Sequence, residues 1–438
     1  MTKHHFALPR RGALLSAVTL LMITALPNGT SAQDDHHQFD RNNLIVSRSV
    51  YDNLASNVTV GVTQLPPNCV QSNCVTAVAD GSFPYIFNNA PVDSSFGITS
   101  RIFLDEVNPS GHVVRSLELP NSLDWWINPK SDQLVTSFSS KSEMGLHLST
   151  DGRYLTFMGY VAPVNTLDVS NSNTPLAPDP TNPVPSSYYR AVARMDRWGH
   201  FDFTETNAYS GNNGRSAILN NTWGNDVYFT AGNAGNGSTP QPQNVVLGAG
   251  AQILSPVDLP ESDQAPGLPT PVGSFSVTEL GDKADKVGKD DNFRGITIFN
   301  NVLYFTKGSG GNGANTVYYV NTSDTPCTNG VGIPAANATL PTTPLNYSLP
   351  LPSTGLPNNM CVLAGFPTLS NKNGTPVNYP FSLWFADANT LYVADEGDGT
   401  PTYDAPRIPT RTRPHRPTPA SKSGSSTQLP GSGNWPTC

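Results

Sequence analysis

Gly295-Ile296-Thr297-Ile298-Phe299-Asn300-Asn301-Val302-Leu303-Tyr304-Phe305-Thr306 is an apolar run, a two-residue turn, and a second apolar run built around Leu-Tyr. Apolar and aromatic residues flanking Asn-Asn read as two antiparallel strands joined by a tight hairpin. The phrase returns as Phe381-Ser382-Leu383-Trp384-Phe385-Ala386-Asp387-Ala388-Asn389-Thr390-Leu391-Tyr392-Val393-Ala394-Asp395. Looser copies lie around Gly145 to Phe157 and Ile218 to Thr230, so Tyr154, Tyr228, Tyr304 and Tyr392 form one aromatic series. A β unit of this size cannot bury its faces alone, so its copies must stack on one another.

Hairpins of a second kind follow the phrase. Arg190 to Asp196, the turn Arg197-Trp198-Gly199-His200 and Phe201 to Thr204 make one. Ser100 to Val107, Asn108-Pro109-Ser110-Gly111-His112 and Val113 to Leu119 make another, and Thr316 to Val320 takes the equivalent first-strand position later on. The module is therefore an inner pair of strands followed by an outer hairpin. Four antiparallel strands of this kind make one blade of a β-propeller. The tyrosines are spaced more widely than the ~40–50 residues of a compact blade. The excess falls in polar insertions: Pro163 to Pro185, Asn233 to Gln243 and Asp324 to Leu356.

Composition agrees with an all-β chain. Only 13% of residues are charged, and 40 prolines and 37 glycines punctuate short β-branched and aromatic runs. The formal net charge of −8 argues against a nucleic-acid partner. The Leu303 to Thr306 and Leu391 to Asp395 copies resemble the repeat of NHL-type six- or seven-bladed β-propellers. That resemblance covers about Ser95 to Gly399 at the level of repeat logic and implies four-stranded antiparallel blades with long inserted loops. It transfers no catalytic residue.

The N-terminus reads as an export signal. Lys3, Arg10 and Arg11 precede the uncharged run Gly12 to Leu26, and Thr30-Ser31-Ala32 offers small residues for cleavage. The run is short for a bilayer core of about 30 Å. The expected organisation is a signal over 1–32, a polar lead over 33–43, the propeller over 44–400 and a disordered Pro/Arg/Ser-rich tail over 401–438. The last blade holds only its inner strands before that tail. The expectation is an incomplete blade from a truncated or frame-shifted end, with a natural basic linker for a polyanionic wall polymer as the alternative.

An exported chain favours disulfides. Cys69 with Cys74 and Cys327 with Cys361 are the expected pairs, leaving Cys438, with free buried thiols as the alternative. Asn57, Asn220, Asn236, Asn321, Asn337, Asn346 and Asn373 open Asn-x-Ser/Thr triplets, sites for glycans if the host attaches them.

The chemistry-bearing residues are few. Asp395, Glu396 and Asp398 lie on a Gly-rich turn whose oxygens suit Ca²⁺, a solvated acidic turn being the alternative. Asp151, Asp226 and Asp387 occupy repeated turns before the tyrosine strand and mark blade turns, unless they converge on a metal. His147, beside an inner strand, is the one histidine placed to act as a base, against a structural, hydrogen-bonded role. Gly308 to Gly313, next to Lys307, reads as a wide turn between strands, with a backbone N–H cradle for an anion as the alternative. Trp384 alternates with Leu383 and Phe385 and is expected in the core. Trp125-Trp126 could stack on sugar rings if exposed, and packing beneath a loop is the expectation. No convergent catalytic set is present. The expected function is a secreted binding or scaffold protein for an extracellular protein or carbohydrate, without membrane attachment after signal cleavage. The rival is a Ca²⁺-dependent propeller hydrolase, lactonase- or phytase-like.

Overall fold

Asn300 and Asn301 have φ of 47° and 58°, the left-handed pair that a two-residue hairpin loop requires. Phe299 and Val302 face each other across it, so the turn fixes the register of the whole phrase. A computed structural model describes residues 38–50, 62, 64–65, 75–76, 98–137, 144–167, 169–176, 186–224, 226–233, 250–256, 293–308, 314–323, 325–342, 360–368 and 378–395.

These residues are all-β with short 3₁₀ turns, arranged as sheets in chain order. β1 (Leu44–Val50) is followed by a short pair, β2 (Gln64–Leu65) and β3 (Val75–Thr76). β4 (Thr99–Val107), β5 (Val113–Glu118) and β6 (Thr136–Ser137) complete the first large sheet with β1. β7 (His147–Leu148), β8 (Leu155–Tyr160), β9 (Arg190–Met195) and β10 (Phe201–Thr206) form the second, an uninterrupted antiparallel meander. β11 (Gly214–Asn220), β12 (Val227–Gly232) and β13 (Gly250–Leu254) form the third. β14 (Phe293–Phe299), β15 (Val302–Lys307), β16 (Thr316–Val320), β17 (Val331–Gly332) and β18 (Met360–Leu363) form the fourth. β19 (Pro380–Asp387) and β20 (Thr390–Asp395) make the last.

The sheets stack face to face. Every residue of β8, β11, β12, β15 and β16 is buried, because each strand has a neighbouring sheet on both sides. Side chains that alternate along a strand therefore enter different apolar layers. In β15, Leu303 and Phe305 join β12 residues such as Phe229, whereas Val302 and Tyr304 join Leu383 and Phe385 of β19. Ile102 and Leu104 meet Phe157 and Ala193 between the first two sheets. Met158 and Val192 meet Leu219 and Tyr228 between the second and third. Among the described residues, these layers bind five sheets in series.

Two hairpin turns are built alike. The Asn108 side-chain Oδ1 accepts from the backbone N–H of Ser110 and His112, and Asp196 Oδ1 accepts from Trp198 and His200. Gly111 and Gly199 then take φ of 84° and 91°, values that glycine alone adopts without strain. His112 and His200 are equivalent turn residues for this reason.

The sheets depart from uniform four-stranded blades. The fourth sheet gains β17, which pairs parallel to β18. That addition comes from the insertion after β16, which is tied down where Cys327 and Cys361 are joined by a disulfide. The third sheet has three described strands and the last has two. The Cys69–Cys74 pairing, the 1–37 segment and residues 396–438, with the expected tail over 401–438, lie outside the described residues. Among the described residues, no helix is long and apolar enough to cross a membrane.

Candidate functional site

The inner strands of successive sheets pass one another at their starts. Gly145 bridges in parallel to Ser216, at the beginning of β11. Ser216 Oγ donates to the Arg294 carbonyl at 2.6 Å, at the beginning of β14. A Cβ on Gly295 would stand 2.5 Å from the Phe381 carbonyl of β19, so only glycine admits that approach. β7, β11, β14 and β19 are thereby brought into one row.

Two of the three threonines that stand two residues after the series tyrosines stitch this row. Thr156 Oγ1, in β8, donates to the Ala217 carbonyl of the next sheet at 2.8 Å. Thr306 Oγ1, in β15, donates to the Phe381 carbonyl of the next sheet at 3.0 Å. Thr230, the equivalent residue of β12, shares a hydrogen bond with Tyr209. In the last copy the position is Ala394. The Tyr-x-Thr recurrence was visible in the chain, and its meaning required knowing that one sheet's threonine reaches the next sheet's backbone.

His147 lies in this row. Its Nε2 is sealed from water and has no hydrogen-bond partner, although the residue as a whole is half-buried. Burial holds its pKa down at about 4, so the ring is neutral at ordinary pH. A Cβ built on Gly145 would stand 2.7 Å from Ser216 Oγ and 3.3 Å from His147 Nε2, which locates the ring at the joint between β7 and β11. Ser216 gives its proton to the Arg294 carbonyl, not to this imidazole. The geometry supplies no activated hydroxyl here, and the hydrogen bond expected of a structural histidine is missing at Nε2.

Cations that sequence reasoning passed over are buried in the same part of the fold. Arg215 and Arg294, at the starts of β11 and β14, are 3% and 2% exposed, and Lys307 is fully buried. Arg190 is fully buried and donates to the carbonyls of Ser170, Ser172, Tyr188 and Asn212. It ties three loop segments to β9. The only signal in the chain was an arginine opening a strand, which looks identical to a solvated one.

The acidic residues are used in their own turns. Asp151 Oδ1 accepts from Ser149 Oγ and the Arg153 N–H. These bonds, with Asn221 and Arg153 nearby, outweigh burial and hold its carboxyl below the usual range. Asp387 Oδ1 accepts from the Asn389 N–H. Asp226 is exposed. Asp395 Oδ2 accepts from the Tyr379 N–H across the ends of β19 and β20. Glu396 and Asp398 lie outside the described residues. Among the described residues, no group of three or more His, Cys, Asp or Glu side chains could hold a metal ion.

Of the glycan acceptors, Asn337 is exposed at a turn. Asn321 binds the Thr325 carbonyl through Nδ2. Asn220 is 6% exposed and its Oδ1 accepts from Thr150, so the folded chain does not present it to solvent. Asn57, Asn236, Asn346 and Asn373 lie outside the described residues.

The tryptophans reverse their expected places. Trp384 is 61% exposed and stacks with Tyr392 across the strand pair, because Leu383 and Phe385 take the buried face of β19. Trp125 is 94% exposed and Trp126 61%, and Leu123 beside them is also exposed. They stand on the loop between β5 and β6. Its base is closed by Leu134 N–H donating to the Pro120 carbonyl, between the buried Leu119 and Leu134. Asn121 Oδ1 accepts from the Leu123 N–H, and Asp124 Oδ2 accepts from the Asn121 N–H. On the far arm Asp132 Oδ2 accepts from the Asn128 N–H, and Gln133 donates to the Pro129 carbonyl. The loop is braced on both sides of the indoles and leaves them uncovered.

A comparison with protein-family models finds no match to this chain, and a search of the curated proteins finds no significant relative.

Proposed function

We propose that the chain is an exported, propeller-type binding or scaffold protein that presents its loops to an extracellular carbohydrate or protein. The stacked sheets and the row of inner strands support the propeller reading, because such sheets pack face to face around an axis with their first strands innermost. The charged start of the chain and the Cys327–Cys361 bond support passage through an oxidising compartment. The observation that carries the binding function is the braced loop that displays Leu123, Trp125 and Trp126. Apolar side chains held away from the core on an ordered loop contribute nothing to folding and lose little freedom when a partner covers them.

The rival is a Ca²⁺-dependent hydrolase of the same fold. Its support is the acidic residue in the turns before three of the four series tyrosines, but Asp151 and Asp387 accept hydrogen bonds within their own turns. Thermal unfolding of the chain from Gln33 onward, first after EDTA and then with added Ca²⁺, separates the two. A cation bound by the native state at ~100 times its Kd would add about 2.7 kcal/mol. The binding reading expects a cooperative transition that Ca²⁺ does not move. A Ca²⁺-specific rise accompanied by turnover of lactones or phosphoesters would overturn it.

A further inference from the structure

Resting on the binding reading above, we infer that the Leu123–Trp126 loop is the contact surface for a neutral polysaccharide. The loop offers two adjacent indoles, 94% and 61% exposed, and neither touches another ring among the described residues. Indole faces are broad, apolar and rigid, and they suit the C–H faces of sugar rings, whose hydroxyl edges can reach the polar groups around them.

Charge selects among the partners that exposed tryptophans could meet. Asp124 lies between Leu123 and Trp125 in sequence, with Asp132 on the far arm and Lys130 as the cation between them. A carboxylate adjoining the indoles resists entry into a bilayer, where an ionised group must shed its water. The loop carries no basic cluster for anionic headgroups or acidic polymers, and the chain's net charge of −8 opposes them further. An uncharged ligand rich in hydroxyls meets neither obstacle, and the carboxylates become acceptors for it.

The loop is also prepared before binding. The Asn121–Asp124 and Asn128–Asp132 clamps fix the backbone on each side of the indoles. The Val164 N–H donates to Ser122 Oγ and ties the near arm to a neighbouring segment. Association then orders little that is not already ordered. The other exposed aromatic pair, Trp384 and Tyr392, sits on an open sheet face, and nothing in the structure shows what covers it.

The test is depletion of the full mature chain from solution by particulate cellulose, chitin and β-1,3-glucan, with phosphatidylcholine vesicles as the contrasting surface. The expected result is depletion by at least one polysaccharide and none by vesicles. Trp125→Ala/Trp126→Ala should weaken that binding about tenfold or more, as loss of paired aromatic anchors does, with an unchanged unfolding midpoint. Asp124→Ala, a second variant, should retain the fold and weaken binding less. Depletion that is equal for wild type and the double variant would overturn the loop assignment and leave the binding reading standing. Depletion by no polysaccharide, or indole-dependent capture by vesicles, would overturn the assignment to a neutral glycan. Ca²⁺-dependent turnover in the unfolding experiment above is a different outcome, and it would remove the binding reading itself.

Discussion

Tyr228 and Tyr304 are 1% and 6% exposed, whereas Trp125 is 94% exposed. All three are large aromatics in a β-rich chain, and they differ in recurrence. The tyrosines repeat at one position of a module, and the buried copies meet a neighbouring sheet, the preceding one for Tyr228 and the following one for Tyr304. Tyr228 packs with Leu219 and Met158, and Tyr304 packs at a tilt against the Phe385 ring. Trp125 occurs once, on a loop whose hydrogen bonds hold it outward. A repeated aromatic records packing, and a solitary one on a braced loop records display. Tyr392 completes the rule from the other side: it recurs, yet it is half-exposed, because its face of the last sheet has no further sheet on it among the described residues.

That contrast can be broken at the joints between sheets. Among the polar groups at these joints, His147 offers the largest expected effect. The unfolded imidazole protonates near pH 6.5 and the folded one near 4, so the unfolded state holds more protons in between. The folded state is therefore fully favoured above about pH 6.5 and loses that advantage as the pH falls towards 4. The loss amounts to about 3 kcal/mol. Urea unfolding of wild type and His147→Gln at about pH 7 and about pH 4.5 should show a shallower pH dependence in the variant. Parallel slopes would mean that the ring meets water at the joint between β7 and β11.

The threonine stitches come next. Thr306→Val keeps the shape of the side chain and leaves the Phe381 carbonyl without its donor, which should cost about 1–3 kcal/mol. Thr156→Val should behave alike at the joint between the second and third sheets. A loss confined to one of the two, in denaturant unfolding, would show that the repeat is chemical without being energetic. The smallest effect belongs to Trp384→Ser. It removes a cross-strand partner of Tyr392 on an exposed face and should cost less than about 1 kcal/mol by the same measurement.

Much of the fold could be read from the chain because strand, turn and register are local. Asn300-Asn301 specified its own hairpin, and Asn108 and Asp196 specified equivalent turns with a glycine in the place that needs positive φ. The face-to-face stacking of sheets followed from the inability of each module to bury both faces. Strand number per sheet was less legible. Whether a polar insertion adds a strand, as β17 does, depends on where a disulfide pins it. The candidate site was less legible still. Trp384 alternates with Leu383 and Phe385, and alternation alone does not say which face of a strand has a neighbour. Trp125 and Trp126 follow a Pro-Asn turn, and their exposure depends on the clamps made by Asn121, Asp124 and Asp132. The burial of Arg215 and Arg294 carried no signal in the chain, because the neighbours that bury them are distant in sequence.

The most direct test compares one recurring aromatic with the solitary pair. Phe305 is fully buried between the third and fourth sheets, and Phe305→Ala should cost about 3–5 kcal/mol of unfolding free energy. In the same buffer and the same denaturant titration, Trp125→Ala/Trp126→Ala should cost less than about 0.5 kcal/mol, despite removing two larger side chains. That result would place the tyrosine and phenylalanine layers in the structure and the indoles in its service to a partner. Comparable losses, or a larger loss for the indole pair, would contradict the account, because they would make the loop part of the core.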